Sequence, residues 1–278
     1  MKVAVTGATG FVGSHVVPNL LARGARVTVA TRNPDRVHAV NSRLTTVHLD
    51  IDDSEDAFAR LGKPDVLLHL AWRGLPNYRS ETHLKNELPR QIAFLEACSH
   101  AGLQRLVVTG TCLEYGMQCG CLDESMPTSP TTDYGLAKDH LRVYLQDRVK
   151  TGGPRLTWLR LFYIYGVGQS PTSLYSQLCA AVDAGTEEFP MSPGDQQRDF
   201  LPVESAAAHI AALTLGEPAG IVNVCSGTPR TVVSMVREWS QKRNVDLRLK
   251  LGAYPYPDYE PLAFWGSTRK LDALLGAS

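Results

Sequence analysis

With 278 residues, 44% of them apolar, the chain has material for one large core, or for one core and a smaller lobe. Lys and Arg total 28 against 28 Asp and Glu, and a zero formal charge without a basic run excludes the electrostatic footprint of a nucleic-acid binder. No stretch approaches the roughly 20 apolar residues of a membrane-crossing helix. With no leader ahead of the apolar run that begins at Lys2, the expected location is cytoplasmic, with no membrane partner.

In chain order, Lys2–Thr6 reads as a buried strand ending at glycines, and Phe11–Arg23 as a helix stopped by Gly24. Pro18 conflicts with that helix and predicts a kink. Ala25–Ala30 is a second strand, Asn33–Val40 a short helix and Leu44–Leu49 a third strand. Asp53–Leu61 reads as helical, Asp65–Ala71 as a central strand and His83–Ala101 as a long amphipathic helix. Strand Arg105–Thr109, a polar loop over residues 116–132, helix Tyr134–Val149 and strand Leu156–Leu161 follow. Strands alternating with helices predict an α/β fold, a doubly wound parallel sheet of the Rossmann type. Beyond Phe162 the units shorten and fill with Gly, Pro and Tyr. The expected division is a dinucleotide domain over 1–165, to which 201–226 returns, and a smaller substrate lobe over 166–200 and 227–278. Cys98, Cys112, Cys119, Cys121, Cys179 and Cys225 form no paired framework, and Cys119 and Cys121 stand too close for a usual metal pair, so reduced thiols and no metal are expected.

Chemistry first enters at the loop after the first strand, Thr6-Gly7-Ala8-Thr9-Gly10-Phe11-Val12-Gly13. Glycines there allow a tight turn and close approach to a pyrophosphate, and the following helix offers free N–H groups to it. A turn that binds nothing is the plainer alternative, and the parallel pattern favours the cofactor. Asp50 and Ile51, after the third strand, are placed to hold an adenine, and Ala71 lets the cofactor lie against the backbone. The second strand runs into Thr31-Arg32 with no carboxylate. NAD-selective proteins usually place one there, whereas an arginine fork suits a 2′-phosphate, so NADPH (NADP) is expected over NAD.

Tyr134 and Lys138 stand four apart on one helix and therefore share a face. A nearby ammonium lowers the pKa of a phenol, a sensible way to poise it for proton transfer. Thr111 follows the fifth strand at the carboxyl edge, where its hydroxyl can hold a substrate carbonyl. Chance produces many Tyr-x-x-x-Lys pairs, but this one combines with a glycine loop and a strand-end hydroxyl.

Together with L-R-L-F-Y-I-Y-G at 159–166 and R-D-F-L-P-V at 198–203, these segments make the chain resemble the extended short-chain dehydrogenases, the nucleotide-sugar epimerase, dehydratase and reductase family. The resemblance implies that Thr111, Tyr134 and Lys138 are the catalytic trio and that Asn86 lies near the cofactor. It also implies that Arg198 meets a substrate diphosphate, the alternative being an ion pair with Asp195 or Asp199. Tyr163 stands in the substrate segment where the family usually carries Asn. Cys112-Leu113 replace the Asp-Glu that follows the threonine of dehydratases, so elimination of water is not expected; Cys112 reads as a small buried residue. The tail Ala253–Glu260 either covers the nucleotide or packs on the small lobe. The expectation is an NADPH-dependent reductase of a nucleotide-linked 4-keto-6-deoxy sugar, with a 4-epimerase holding NAD as the alternative. A reductase of small carbonyl compounds and a non-catalytic dinucleotide sensor rank lower. A homodimer through a four-helix bundle is also implied.

Overall fold

The computed structural model describes residues 1–37 and 41–276. Strands β1 (Lys2–Thr6), β2 (Arg26–Thr31), β3 (Leu44–His48), β4 (Val66–His69) and β5 (Arg105–Thr111) join Arg155–Leu161 and Gly220–Val224 in one seven-stranded sheet. Its spatial order is Gly220–Val224, Arg155–Leu161, β5, β4, β1, β2, β3, and every pairing is parallel. The order reverses at β1, so the connections leaving β1 and β4 part in opposite directions and open a crevice between them. Thr6 lies opposite both Ala30 and His69, which sets the ends of the three strands around that crevice at one level.

Alternation along β1 divides the core. Val3 and Val5 face helix α1 (Phe11–Ala22) and helix Val203–Leu215, packing with Val16, Leu20 and Ile210. Ala4 faces the opposite side, where helices α2 (Ala57–Arg60), α3 (Leu88–His100) and α4 (Asp133–Lys150) enclose Leu67, Phe94, Leu95, Leu106, Leu141 and Trp158. Beyond this sheet, Tyr163–Tyr165, Gln197–Pro202 and Pro229–Thr231 form a three-stranded sheet. Helices Leu174–Asp183 and Val232–Gln241 close over Leu178, Phe189, Met235 and Trp239.

Several predicted boundaries shift for identifiable reasons. The long helix expected from His83 begins instead as a π turn over His83–Glu87, and α3 starts at Leu88 with Pro89 in its first turn. Pro89 has no N–H to give Lys85, and the widened turn absorbs the missing bond. The helix expected over Asp53–Leu61 shrinks to α2 because Asp56 takes a left-handed φ of 51°. Strand β5 continues past Thr109 to Thr111, which pairs with Leu161. The run read as strand Asp65–Ala71 narrows to Val66–His69. The polar loop over 116–132 contains a strand, Gly120–Leu122, whose partner Phe264–Gly266 lies near the end of the chain. Pro34–Arg36 is a single 3₁₀ turn, and the rest of that expected helix, 38–40, lies outside the described residues. Helix α1 runs unbroken through Pro18, which is exposed beside Ser14, so the carbonyl it leaves without a partner faces water. All six cysteines are free, and among the described residues no helix is long and apolar enough to cross a membrane.

Candidate active site

A cleft of about 560 Å³ lies at the carboxyl ends of β1, β2 and β4. It is lined by Gly7, Thr9 and Gly10, by Thr31, Arg32 and Arg36, by Asp50 and Ile51, and by Ala71, Trp72 and Arg73. A Cβ on Gly7, whose φ is +69°, would sit 2.7 Å from the Ala71 nitrogen, and one on Gly13 would sit 2.3 Å from the Gly7 carbonyl oxygen. The loop is therefore folded as tightly against β4 and α1 as backbone permits. Gly10 begins α1 without a side-chain cap, so the first N–H groups of the helix remain available to an anion. Phe11 and Val12 do not line the cleft; they pack under the loop against the core. A pyrophosphate fits this cradle, and the volume suits a dinucleotide.

At the far end of the cleft, Thr31 closes β2 with its hydroxyl accepting from the Asn33 N–H at 3.1 Å. Arg32 is two-thirds exposed, its Nε 4.0 Å from an Asp50 oxygen. The Asp50 carboxylate is bound more closely by Arg73, which also donates to Asp52 at 2.9 Å. Arg36 and Arg73 were not anticipated, although Arg73 stands only two places beyond Ala71. Asn86 is corrected by the structure: it is exposed on the π turn, outside the cleft, whereas its neighbour Glu87 is buried and accepts from the Arg73 backbone N–H at 3.1 Å. Glu87 also takes a bond from Gln91 at 2.6 Å, and Gln91 accepts from the buried ring of His69. The other nitrogen of His69 then accepts from the Thr6 hydroxyl at 2.8 Å. Burial pushes the His69 pKa down to about 4, so the imidazole is neutral and joins β1 to the helix layer by hydrogen bonds alone.

Thr111, Tyr134 and Lys138, all buried, do not line the cleft itself; Tyr134 and Lys138 lie against Trp72, which does. Thr132 caps α4 by accepting from the Gly135 N–H at 3.1 Å, which sets Tyr134 and Lys138 on the first two turns facing the sheet. Thr111 ends β5 and caps the 3₁₀ turn Cys112–Tyr115. Its hydroxyl oxygen accepts from the Leu113 N–H at 3.3 Å, which leaves the O–H free to donate. The Thr111 N–H donates to Glu114 at 2.9 Å. Glu114 is fully buried and also binds Trp158 Nε1 at 3.0 Å and Arg160 Nε at 2.8 Å. Lys138 Nζ donates to the Thr109 carbonyl at 2.8 Å and lies 3.9 Å from the centroid of the Trp72 ring. It stands 5.9 Å from the centre of the Tyr134 ring. The expected lowering of the phenol's pKa by Lys138 is not what dominates here. Burial, together with the nearby Tyr78, Glu114 and Cys112, raises the Tyr134 pKa well above its ordinary value.

Lys138 itself is pushed down to about 7 by burial, with Glu114 and Glu87 opposing the shift. The unfolded chain keeps this proton up to its ordinary 10.5, whereas the folded protein gives it up at about 7. Stability present above 10.5 is therefore lost as pH falls towards 7 and stays lost below it. Lys138→Met should raise stability at pH 7 by about 2 kcal/mol, the desolvation relief being partly offset by the lost Thr109 bond. It should also flatten stability between pH 7 and about 10. Denaturant unfolding across that range measures both, and an unchanged slope contradicts the assignment.

The residues expected to meet a substrate lie against the tail. Arg198, 2% exposed, donates through Nη2 to Glu260 at 2.9 Å, and through Nη1 to the carbonyls of Gln197 at 2.8 Å and Leu262 at 3.1 Å. Neither Asp195 nor Asp199 is its partner; Asp199 is buried and accepts from the N–H groups of Ser226, Gly227 and Gly266. The Tyr163 hydroxyl accepts from Arg198 Nε at 3.2 Å, so these two residues, both expected at the substrate, adjoin each other. Tyr259 packs on Tyr78, which packs on Tyr134, and Asp258 pairs with Arg79. The tail thus meets the segment 78–79 that lies against Tyr134. Cys112, buried in an apolar cluster, has its thiol pKa raised by burial, so it stays a thiol.

A family model described as the NAD dependent epimerase/dehydratase family matches residues 3–225. A dTDP-6-deoxy-L-talose 4-dehydrogenase (NAD(+)) of Aggregatibacter actinomycetemcomitans is 30% identical over 270 residues, covering 96% of this chain and 100% of that one. A dTDP-6-deoxy-L-talose 4-dehydrogenase (NAD(P)(+)) of Kitasatospora kifunensis is 29% identical over 274 residues, covering 92% and 83%. Among solved structures, MoeE5 in complex with UDP-glucuronic acid and NAD is similar with a TM-score of 0.84 at 26% identity, over 99% of this chain and 93% of that one.

Proposed function

The chain belongs to the NAD-dependent epimerase/dehydratase family, and from that premise we propose that it reduces a nucleotide-linked 4-keto-6-deoxyhexose at C4, with NADPH preferred to NADH. The observation that carries the reading is the full-length similarity to a 4-dehydrogenase of a dTDP-6-deoxyhexose, whose reverse reaction is this reduction. The buried Cys112 and Leu113 beside Thr111 support it, because neither can act as the acid or base that elimination of water requires.

When bound along Gly7, Thr9, Gly10, Asp50, Ile51 and Ala71, the dinucleotide supplies the hydride. The Thr111 O–H orients the keto oxygen, and Tyr134 gives its proton to that oxygen as negative charge develops there. A phenol whose pKa is raised by burial arrives protonated, as an acid must. The tyrosinate left behind is balanced by the Lys138 ammonium, so the protonated form of Lys138 is the working one. For Arg198 to meet the substrate diphosphate, Glu260 gives way and one anionic partner replaces another.

The NADPH preference rests on Arg32 and Arg36, which follow β2 with no carboxylate at that strand's own end, the nearby Asp50 being paired with Arg73 as well as with Arg32. The test is to supply dTDP-4-keto-6-deoxyhexose with NADPH or NADH and follow the loss of reduced-nicotinamide absorbance. Stoichiometric loss is expected, with Arg32→Ala raising KM for NADPH by about 10- to 150-fold and leaving NADH unchanged. Interconversion of sugar epimers without net loss of NADPH favours the alternative, a 4-epimerase with held NAD, and overturns this reading. Equal kinetics with both cofactors, indifferent to Arg32, overturns the preference alone.

A further inference from the structure

Trp72 follows Ala71 at the end of β4, lines the cofactor cleft and lies directly over Lys138, with the ammonium 3.9 Å from its ring centroid. Its edge is pinned. Nε1 donates to Nδ1 of His83 at 3.1 Å, and that fully buried imidazole, its remaining proton thereby placed on Nε2, donates to the Asn77 carbonyl at 2.8 Å. The indole also meets the Tyr134 ring edge-on, with centroids 5.8 Å apart and planes at 73°. One ring thus touches both members of the catalytic pair while its polar edge is held on a separate element.

The other groups facing Lys138 leave its charge little else to rest on. Glu114, from the turn after β5, is bound by Arg160 and Trp158. Glu87, on the π turn, is bound by Gln91 and the Arg73 backbone. His69, on β4, is neutral, and Tyr134, on the same helix as Lys138, carries its proton. Among the described residues no carboxylate lies within 4.0 Å of Nζ, whose remaining partners are the Thr109 carbonyl and the indole face. An indole offers a cation the most negative aromatic face, and the attraction grows where water is excluded.

We propose that Trp72 is a positioning residue for this reaction, whose face keeps Lys138 protonated beside Tyr134 and whose edge is oriented by His83. The inference rests on Tyr134 being the acid and Lys138 its charged partner. Without the indole the ammonium is held only by a carbonyl in a dry site, so Lys138 loses its proton at lower pH and activity fails earlier on the alkaline side.

The test is the pH profile of kcat for wild type, Trp72→Phe and Trp72→Leu, with Tyr134→Phe alongside. Leucine keeps apolar bulk without a π face, and the alkaline limb should move to lower pH by about one unit, tenfold in the protonation equilibrium. Phenylalanine keeps a weaker face and should move the limb the same way by a smaller interval; this variant carries the test if Trp72→Leu does not fold. A limb that stays in place, or moves to higher pH because water stabilises the ammonium better than the ring does, overturns the proposal. If Tyr134→Phe is inactive while the Trp72 profiles match wild type, only the role of Trp72 has failed. An active Tyr134→Phe removes the catalytic pair, and this role with it.

Discussion

Tyr134→Phe is expected to lower kcat by about 10²- to 10⁴-fold while dinucleotide binding and stability stay close to wild type. The ring is 8% exposed and is held by Tyr78, His83 and Trp72, with centroids at 5.6, 5.3 and 5.8 Å, and phenylalanine preserves each of those contacts. No hydrogen bond within the protein uses the phenol oxygen among the described residues, so removing it leaves no buried group without a partner. The variant loses the transferable proton and nothing else. Single-turnover reduction, with a fluorescence titration of the dinucleotide and a thermal melt, separates the two effects. Turnover at the wild-type rate would show that another group is the acid.

Glu114→Ala is expected to cost about 3–5 kcal/mol of stability, a large share of what a domain of this size holds. Glu114 is completely enclosed, and its loss strips Arg160, 1% exposed, of its only acidic partner among the described residues. Arg160 Nη1 already lacks a hydrogen bond, so the guanidinium has little else to turn to. Trp158 Nε1 and the Thr111 N–H lose their acceptor at the same time. Glu114→Gln should cost less, since an amide oxygen can still accept two of these bonds. Because Glu114 closes the cap that orients Thr111, kcat should fall in both variants. Denaturant midpoints measure the stability, and a change below about 1 kcal/mol for Glu114→Ala would mean that Arg160 finds other partners.

What the sequence disclosed was what lies close together along the chain. The glycine loop, the Tyr134–Lys138 spacing and the strand–helix alternation are each set within about ten residues, where periodicity and turn chemistry are readable. Arg198 was found by its segment, but its partner Glu260 lies in the tail, and no local pattern joins them. Strand Gly120–Leu122 was hidden for the same reason, its partner being Phe264–Gly266. The misplacement of Asn86 has a different origin. A π turn inserts one residue into the helical repeat, rotating what precedes Pro89 by about 100° relative to an α-helix. The resemblance pointed to Asn86, and with the turn so rotated Glu87 is the residue turned inward. Pro89 was a visible warning of that slip. Trp72 and Arg73 adjoin Ala71, yet their roles depend on His83 and Asp50, which approach from other elements.

The pairing of Arg198 with Glu260 ties together two parts of the chain that could otherwise drift separately. Loss of the arginine alone strands a carboxylate, and loss of the glutamate alone strands a guanidinium, in a place where either is costly. A lineage exploring new substrates at this site therefore meets a valley at the first step in both directions, and an apolar or charge-reversed pair is reached most easily by two changes fixed together. On the proposed reading, in which Arg198 meets the substrate, the arginine and the tail are inherited as a unit, and substrate preference in such a lineage should change by jumps, with both altering at once.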